Sequence, residues 1–590
     1  MSEQYEQEVP VLIVGAGACG LSCSLFLDNI GVESLIVERH PTWAPNPKAR
    51  YLNQRTMEVF RHHGLAEMIY ADAIPLENFS KIVWRTSLAG DGPLDRRTIH
   101  EMDGFGGGGL TQYAEDSACE SSMFPQVRLE PMFQAEILKR NPQGIRRNCE
   151  LLAIEQSADG VVSTVLDRAT GVTSKIRSQY LIGADGGRTV GNLVGAKIDG
   201  ERDMAVLVSV YFRADMSAWW DDDRAMTMWF CDPVGGSFRS GVLGKLGPKR
   251  FDRHSEEWVM HFSFSMDDPG RLEEDFLPHI RTLLKIPDFN PEILAQSHWT
   301  FQSVIADHYR WGRVFLAGDA AHSHPPTGGL GMNTAVQDAD NLTWKLQMVL
   351  SGRSNTALLD SYENERHPVA ERTRRWAMTG VENHALSDVV MGLVKGDPVR
   401  SAANMQALLS DTEEGRTRRA RMVEVMALHR MEFQHHDTEM GNAYDRGALI
   451  PDGTLPPPRD PFGSIYTPVA RPGHRLPHAW LERASQRIST HDLVERDRLL
   501  LITGSRGDAW VDAAGKVAER LGIPLAIAVI GSSQGWRDVD GSWAKLNGMG
   551  LDGAILVRPD QYVAWRSLSA DPNPEECLQS AIMEILCLAT

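Results

Sequence analysis

Val11-Leu12-Ile13-Val14-Gly15-Ala16-Gly17-Ala18-Cys19-Gly20 is the stretch whose reading decides the fold. The first four residues form a short apolar run of β-branched character, the pattern of a strand buried on both faces. Gly15, Gly17 and Gly20 then satisfy GxGxxG. The first glycine permits a tight turn, the second lets a pyrophosphate approach the backbone, and the third lets the following helix pack on the strand. Leu21, Leu25 and Leu27 continue on a helix-like segment that ends before Gly31. Ser34-Leu35-Ile36-Val37 is a second strand, closed by Glu38 and Arg39. Glu38 stands about 20 residues beyond the turn, where an acidic side chain accepts hydrogen bonds from a ribose. The motif alone does not distinguish a flavin from a nicotinamide dinucleotide.

Outward from this βαβ unit, Tyr180-Leu181-Ile182-Gly183 and Val314-Phe315-Leu316-Ala317 repeat the buried-strand pattern. Ala205 to Phe264 alternates aromatic and polar residues, as in an antiparallel sheet with one wet face. Thr334 to Leu350 reads as a helix, and Asp360 to about His436 is strongly charged with helical spacing. Leu455 to Pro461 (LPPPRDP) is a linker, since consecutive prolines continue neither helix nor sheet. Beyond it, Arg498 to Ile502, Leu525 to Ile530 and Asp552 to Arg566 supply the strands of a small α/β domain. No internal repeat is visible.

The length of 590 residues gives a prior of about four structural units. Hydrophobic residues at 42% and charged residues at 23% exclude disordered and low-complexity classes. The 60 basic against 78 acidic residues leave −18, so nucleic acid and anionic membrane are not expected as partners. Seven cysteines without a CxxC pair argue against both a disulfide framework and structural zinc. The acidic N-terminus is unlike a secretory signal, and the longest apolar stretch, Leu521 to Ile530, is too short to span a bilayer. A cytoplasmic location is expected.

A second formal GxGxxG, Gly104, Gly106 and Gly109, lacks an apolar strand before it and a helical pattern after it, so it reads as a loop. Gly318-Asp319-Ala320-Ala321-His322-Ser323-His324-Pro325-Pro326 follows a buried strand, and Gly328-Gly329-Leu330-Gly331-Met332-Asn333 precedes a helix. A carboxylate at a strand end binds a sugar hydroxyl, and a glycine-rich helix start offers backbone N–H groups to an electron-rich ligand. The His322-x-His324 pair lacks a third ligand at metal spacing, so no metal is expected. His62-His63 and His435-His436 are weaker still, because adjacent helical residues point apart.

GAGACG, IGADGGRT at Ile182 to Thr189, and GDAAHSHPPTGGLGMNTAVQDADNLTWKL at Gly318 to Leu346 occur together and in order. The set resembles the FAD-dependent aromatic hydroxylases, the group A flavoprotein monooxygenases. PGHRLPHAWL (Pro472 to Leu481) and GAILVRPDQYVAWR (Gly553 to Arg566) resemble the C-terminal domain of the phenol and chlorophenol hydroxylase branch. The resemblance implies an α/β and α+β architecture: a Rossmann-like FAD domain interleaved with a β-sheet substrate domain, plus a thioredoxin-like C-terminal domain. The FAD domain would take 1–80, 110–200 and 300–400, and the substrate domain 81–109 and 201–299. A helical segment and linker would span 401–461, and the tail domain 462–590. The tail carries no CxxC, so no redox activity of its own is expected.

By the same resemblance, Gly15, Ala16, Gly17 and Gly20 would bind the FAD pyrophosphate and Glu38 the adenosine ribose. Arg39 and Arg50 would lie near the adenosine and pyrophosphate, and Gln126 would contact the cofactor. Asp185 belongs to the DG motif, and Asp319 would hold the ribityl chain or phosphate. Pro325 would lie near flavin C4a, while Gly328, Gly331, Met332 and Asn333 would present amides to the flavin pyrimidine. The implied reaction is NAD(P)H- and O2-dependent hydroxylation of a phenolic substrate, ortho to its hydroxyl, through a flavin C4a-hydroperoxide. A homodimer is also implied.

The chain departs from the family pattern at Thr189 and Asn192, where serine and arginine usually complete the DG motif, and at Leu330, a common glutamine. Arg50 stands where some phenol hydroxylases carry an acidic residue, so the phenol-deprotonating group is not identified. Arg239, Tyr211 and His254 are candidates from the sheet segment. The WxWxIP motif of flavin-dependent halogenases is absent. Epoxidation, decarboxylative hydroxylation and dearomatisation share the cofactor motifs, as would a non-catalytic flavin-binding protein.

Overall fold

The computed structural model describes residues 5–233, 236 and 240–588. Strand Gln7–Val14 pairs in parallel with Ser34–Glu38 on one side and Thr173–Gly183 on the other. Val314–Leu316 and Ile145–Arg147 extend the sheet in parallel. Val11, Leu12 and Ile13 are wholly buried, as their apolar run requires. Helix Ala18–Asp28 packs on this sheet. Val14, Glu38, Gly183 and Leu316 end their strands at one edge, which makes the crevice where ligands of such sheets bind.

A second sheet of eight strands is antiparallel except where Ala225–Phe230 runs parallel to Lys81–Arg85. Its two faces differ, as a period of two demands. Val208, Val210, Phe212, Met228, Phe230, Leu243, Met260 and Phe262 pack on one side with helix Leu277–Leu284. Ser209, Tyr211, Trp229, Val242, Gly244 and His261 share the other face, which is turned to the first layer. The expected domain junctions at 200–201 and 299–300 fall inside strands Ile198–Arg213 and Glu292–Ala306, which pair along their length. Their pairing shifts register after Glu201 and after Tyr211.

The sequence reading of Gly104 to Gly109 needs one correction. A strand, Thr98–Asp103, does precede it, and a short helix, Gln112–Asp116, does follow. The strand is an antiparallel edge, however, and the glycines fit tight contacts rather than a phosphate. A Cβ on Gly104 would stand 2.4 Å from Ile82 Cδ1, and one on Gly106 2.7 Å from the Tyr113 ring.

The tail forms a sheet in the order Leu525–Val529, Leu499–Thr503, Ala554–Val557, Val563–Ser567, with the first pair parallel and the rest antiparallel. That is a thioredoxin-like order, with helices Asp508–Leu521 and Pro574–Ile585 packed together. All seven cysteines are free. Among the described residues no helix is long and apolar enough to cross a membrane.

Buried charges hold the tail to the body. Arg558 donates to both oxygens of Glu365 at 2.7 and 2.8 Å, and its Nε donates to Asp560 at 2.9 Å. Lys345 and Asn341 donate to the same Glu365 at 2.8 and 2.6 Å. Arg475 clamps Glu58, and Arg55 reaches Gln561 and the Asp560 carbonyl at 2.6 and 2.9 Å. Arg558, Lys345 and Glu365 are fully buried. The cations hold Glu365 down at about 2, against the opposing effect of burial. Removing one member of such a set leaves its partners charged and unpaired. Glu365→Gln is therefore expected to cost about 3–5 kcal/mol, read as a lower denaturation midpoint with earlier proteolytic release of the tail. An unchanged midpoint would show that the network is not what secures the tail.

Candidate active site

The glycine turn has the geometry its motif demands. Gly15 has φ +106°, and a Cβ there would meet the Ala184 carbonyl oxygen at 2.4 Å. A Cβ on Gly20 would stand 2.1 Å from the Gly15 oxygen. Gly17 is different: a Cβ would meet only Glu130 Oε1, at 3.8 Å, so the turn is open on that side. The Ala16 N–H donates to Glu38 at 2.8 Å, which sets that carboxylate at the mouth of the turn. Arg39 is half-buried and donates to the exposed His40 at 3.1 Å.

The other motif loops meet this turn. Asp319 is exposed beside the Asp185–Arg188 loop, and a Cβ on Gly187 would lie 3.3 Å from its carbonyl oxygen. The surrounding protein raises the Asp319 pKa, and the charges of His322, Lys48 and Arg188 oppose that rise. Pro325 is buried at the following bend. Gly328 and Gly329 take φ +77° and +63°, and helix Gly331–Leu350 starts with no side-chain cap. The first N–H groups of such a helix have no partner within it, so Gly331, Met332 and Asn333 present donors and a positive dipole end.

Three expectations change. Asp185 accepts from the N–H groups of Gly187, Thr189 and Val190 at 3.2, 2.6 and 2.9 Å, so its carboxylate shapes its own loop. The Asn333 side chain bonds Asn53 N, Tyr51 O and Gly329 O, which leaves only its backbone for a cofactor. Arg50 does not turn to the pyrophosphate side. Its guanidinium lies against Gly244 of the second sheet, and its charge acts on His261. Lys48, rather than Arg50, is the cation of this segment whose charge acts on both Glu130 and Asp319. Gln126 fixes this segment: its N–H donates to the Ala49 oxygen at 2.9 Å, and its side chain donates to Glu130 at 2.6 Å.

The second sheet forms the facing wall. His261 Nδ1 and Ser209 Oγ are 2.8 Å apart, and Trp299 donates to that Oγ at 3.1 Å. Burial pushes His261 down to about 3, so it is neutral. Trp229 lies against His384, with ring centroids 4.4 Å apart. Tyr211 is tied to Glu257, which Arg128 also pairs at 2.7 Å, and this spends its hydroxyl on a layer-to-layer contact. His254 is on an exposed turn, outside the cleft, and Arg239 lies outside the described residues.

His322 bonds Asp338 at 2.7 Å and stacks with His324, so the pair is structural. His436 bonds Asp116 while His435 faces Gly328 and Glu439. His384, His429 and Glu432 are close enough to share a metal ion, yet Glu432 already bonds His384 at 2.9 Å and Ser387 bonds His429 at 2.7 Å. The sequence reading missed Lys48, Arg188, Glu130, His261 and Glu439. The first two are lone cations beside known motifs, and the others carry no local signal.

The turn open at Gly17, the acidic strand end and the uncapped Gly331 helix suit a flavin dinucleotide laid along the crevice. The half-buried aromatic and polar face of the second sheet stands opposite, and together they have the layout of a flavoenzyme. Residues 8–377 match the family of FAD binding domains, and residues 469–587 match the aromatic-ring hydroxylase C-terminal domain. The chain is 35% identical over 579 residues to phenol 2-monooxygenase of Pseudomonas sp. (strain EST1001), covering 97% of this chain and 92% of that one. It is 33% identical to 2,4-dichlorophenol 6-monooxygenase of Delftia acidovorans, covering 98% of each. The solved structure of the flavin-dependent monooxygenase PieE with FAD and substrate superposes with a TM-score of 0.92 at 34% identity, covering 99% of this chain and 100% of that one. The protein belongs to the FAD-dependent aromatic hydroxylases, in the phenol hydroxylase-like branch, and it is an FAD-dependent monooxygenase.

Two outcomes follow from this geometry. Gly15→Ala adds a Cβ where none fits, so the purified variant is expected to lose at least about tenfold in FAD affinity, seen as colourless protein. An equally yellow preparation would argue against the turn's role. Glu439, buried beneath the glycine loop and bonded by Tyr51 at 2.7 Å, is pushed from 4.5 up to about 8 by desolvation. Its folded pKa exceeds its unfolded one, so its contribution to stability is full below pH 4.5 and is lost as pH rises to about 8. Glu439→Gln is expected to flatten that decline in thermal unfolding across the same window. An unaltered pH profile would show that Glu439 does not titrate there.

Proposed function

We propose that this enzyme hydroxylates a phenolic ring ortho to its hydroxyl, consuming NADH or NADPH and O2. The observation that carries the reading is the opposition of two walls: a dinucleotide cradle on the first layer, and the row Trp229, Val242, His261 and Ser209 on the second. The phenol and dichlorophenol monooxygenase relatives support a phenolic substrate. FAD, when bound, supplies electron transfer from the nicotinamide and activation of O2. The chain's part is placement and dryness. Gly15 to Gly20, Glu38, Lys48 and Asp319 would hold the dinucleotide, and the Gly331 helix start would favour electron density at its N–H groups. The buried bend at Pro325 and the aromatic wall limit water, which would otherwise divert the oxidant to hydrogen peroxide.

The test is a screen of phenols, phenolic acids and polyketide-like aromatics for stimulated NADH and NADPH consumption. It should be scored by oxygen uptake, peroxide formation and product mass. The expected outcome is faster nicotinamide oxidation with a product one oxygen atom heavier. Absence of stimulation by every ring tested, or stimulation that yields only peroxide, would sink the reading.

A further inference from the structure

Arg50 is a cation held in the wall of the cleft with nothing to neutralise it. Among the described residues its side chain makes no ion pair and no hydrogen bond, and Nη1 is buried without an acceptor. Its place depends on a glycine: a Cβ on Gly244 would stand 2.0 Å from Nη1 and 2.5 Å from Nη2. Only the missing side chain on strand Val242–Gly247 gives the guanidinium room. Burial alone lowers its pKa to about 10, so it stays charged at neutral pH. Its neighbour His261 is neutral and spends Nδ1 on Ser209, so the wall around Arg50 supplies no negative charge.

A half-buried guanidinium with a buried, unpaired Nη1 carries a cost that is recovered when a charged acceptor arrives. We propose that Arg50 is the receptor for the phenolate oxygen of the substrate, binding the ring as its anion and so selecting phenols that ionise. This rests on the phenol-hydroxylating reading above. The cofactor does not account for the charge, because Lys48 faces Glu130 and Asp319 on the cofactor side while Arg50 faces His261 and Gly244 on the other wall. The phenol's proton passes to solvent as the ring binds, since His261 with its depressed pKa does not retain it. The anion is also the reactive form, because a phenolate ring is the more electron-rich target for an electrophilic oxygen.

The probe is 4-nitrophenol, whose phenolate is yellow and whose neutral form is not. It is titrated into the FAD-loaded enzyme at a pH where the free probe is mostly neutral. The wild type is expected to bind it with growth of the phenolate band and release of a proton to the buffer. Arg50→Gln is expected to weaken phenolate binding about ten- to a hundredfold with FAD content unchanged. Arg50→Lys recovers part of the loss. Gly244→Ala, which keeps the charge but displaces the guanidinium, is expected to lose binding as Arg50→Gln does. The neutral ether 4-nitroanisole should bind all four proteins alike.

Loss of FAD from Arg50→Gln would assign the residue to the cofactor and overturn the proposal. So would a wild type that binds the probe only in its neutral form or not at all, or a variant that loses 4-nitrobenzoate but not 4-nitrophenol. If phenolate binding depends on Arg50 while no phenol stimulates nicotinamide oxidation, the hydroxylase reading fails and the receptor stands.

Discussion

Helix Gly331–Leu350 carries its charges inward, and the rest of the molecule is arranged to neutralise them. Asp338, wholly buried, takes bonds from Arg366, His322 and the Gly318 N–H at 2.8, 2.7 and 3.1 Å. Asp340 meets Arg55 and His63 at 3.4 and 3.3 Å, and Lys345 meets Glu365. The partners come from three separate stretches of chain: the Gly318 to His322 loop, the Gln54 to His63 segment and helix Asp360–Met391. Buried charges of this kind add little net stability over an apolar core, but they tolerate few alternative arrangements. The same helix starts at the cleft with no side-chain cap, so the pairing that fixes it also fixes the cleft. Asp338 holds the Gly318 loop directly, and through it the position of Asp319.

The two layers are registered by polar contacts that cross between them. Arg128, on helix Gln126–Arg140 of the first layer, pairs with Glu257 of the second sheet. Gln126 on the same helix pins the Lys48 to Arg50 segment. One helix therefore sets both the distance between the walls and the direction of the two cations at the cleft. Lys48 and Arg50 are two residues apart along a chain that enters the short strand Tyr51–Leu52, yet they serve opposite walls.

The sequence made the cofactor side legible because its motifs carry backbone requirements. Gly15, Gly20 and the Gly328-Gly329 pair can be little else, and the buried strands beside them read directly from β-branched runs. The facing wall was hidden for a physical reason: its residues lie on five strands far apart in sequence, each contributing one or two side chains by alternation. Nothing near His261 or Gly244 marks them as neighbours of Arg50. Even Arg50 itself was readable only as a cation near a cofactor motif. Which wall it faces depends on the missing Cβ at Gly244, nearly two hundred residues away.

The tail depends on a different glycine and on buried charge. Gly447, at φ +126°, lets Glu365 approach the backbone, where the Ala448 N–H donates at 2.8 Å. Arg558 then closes over that carboxylate from the tail. The RPDQ stretch at Arg558 to Gln561, conspicuous in the sequence but silent about purpose, meets the body through Arg558, Asp560 and Gln561. A thioredoxin-like domain without a cysteine pair has no disulfide to exchange, and here its β-turn is instead a plug of charge. The body would otherwise bury Glu365 against Lys345 alone, one carboxylate and one amine, with Asn341 and the Ala448 amide as their remaining partners. Arg558 and Asp560 add equal and opposite charge, so the junction gains bonds without gaining net charge. The tail is thus coupled to the very helix whose other end starts, uncapped, at the cleft.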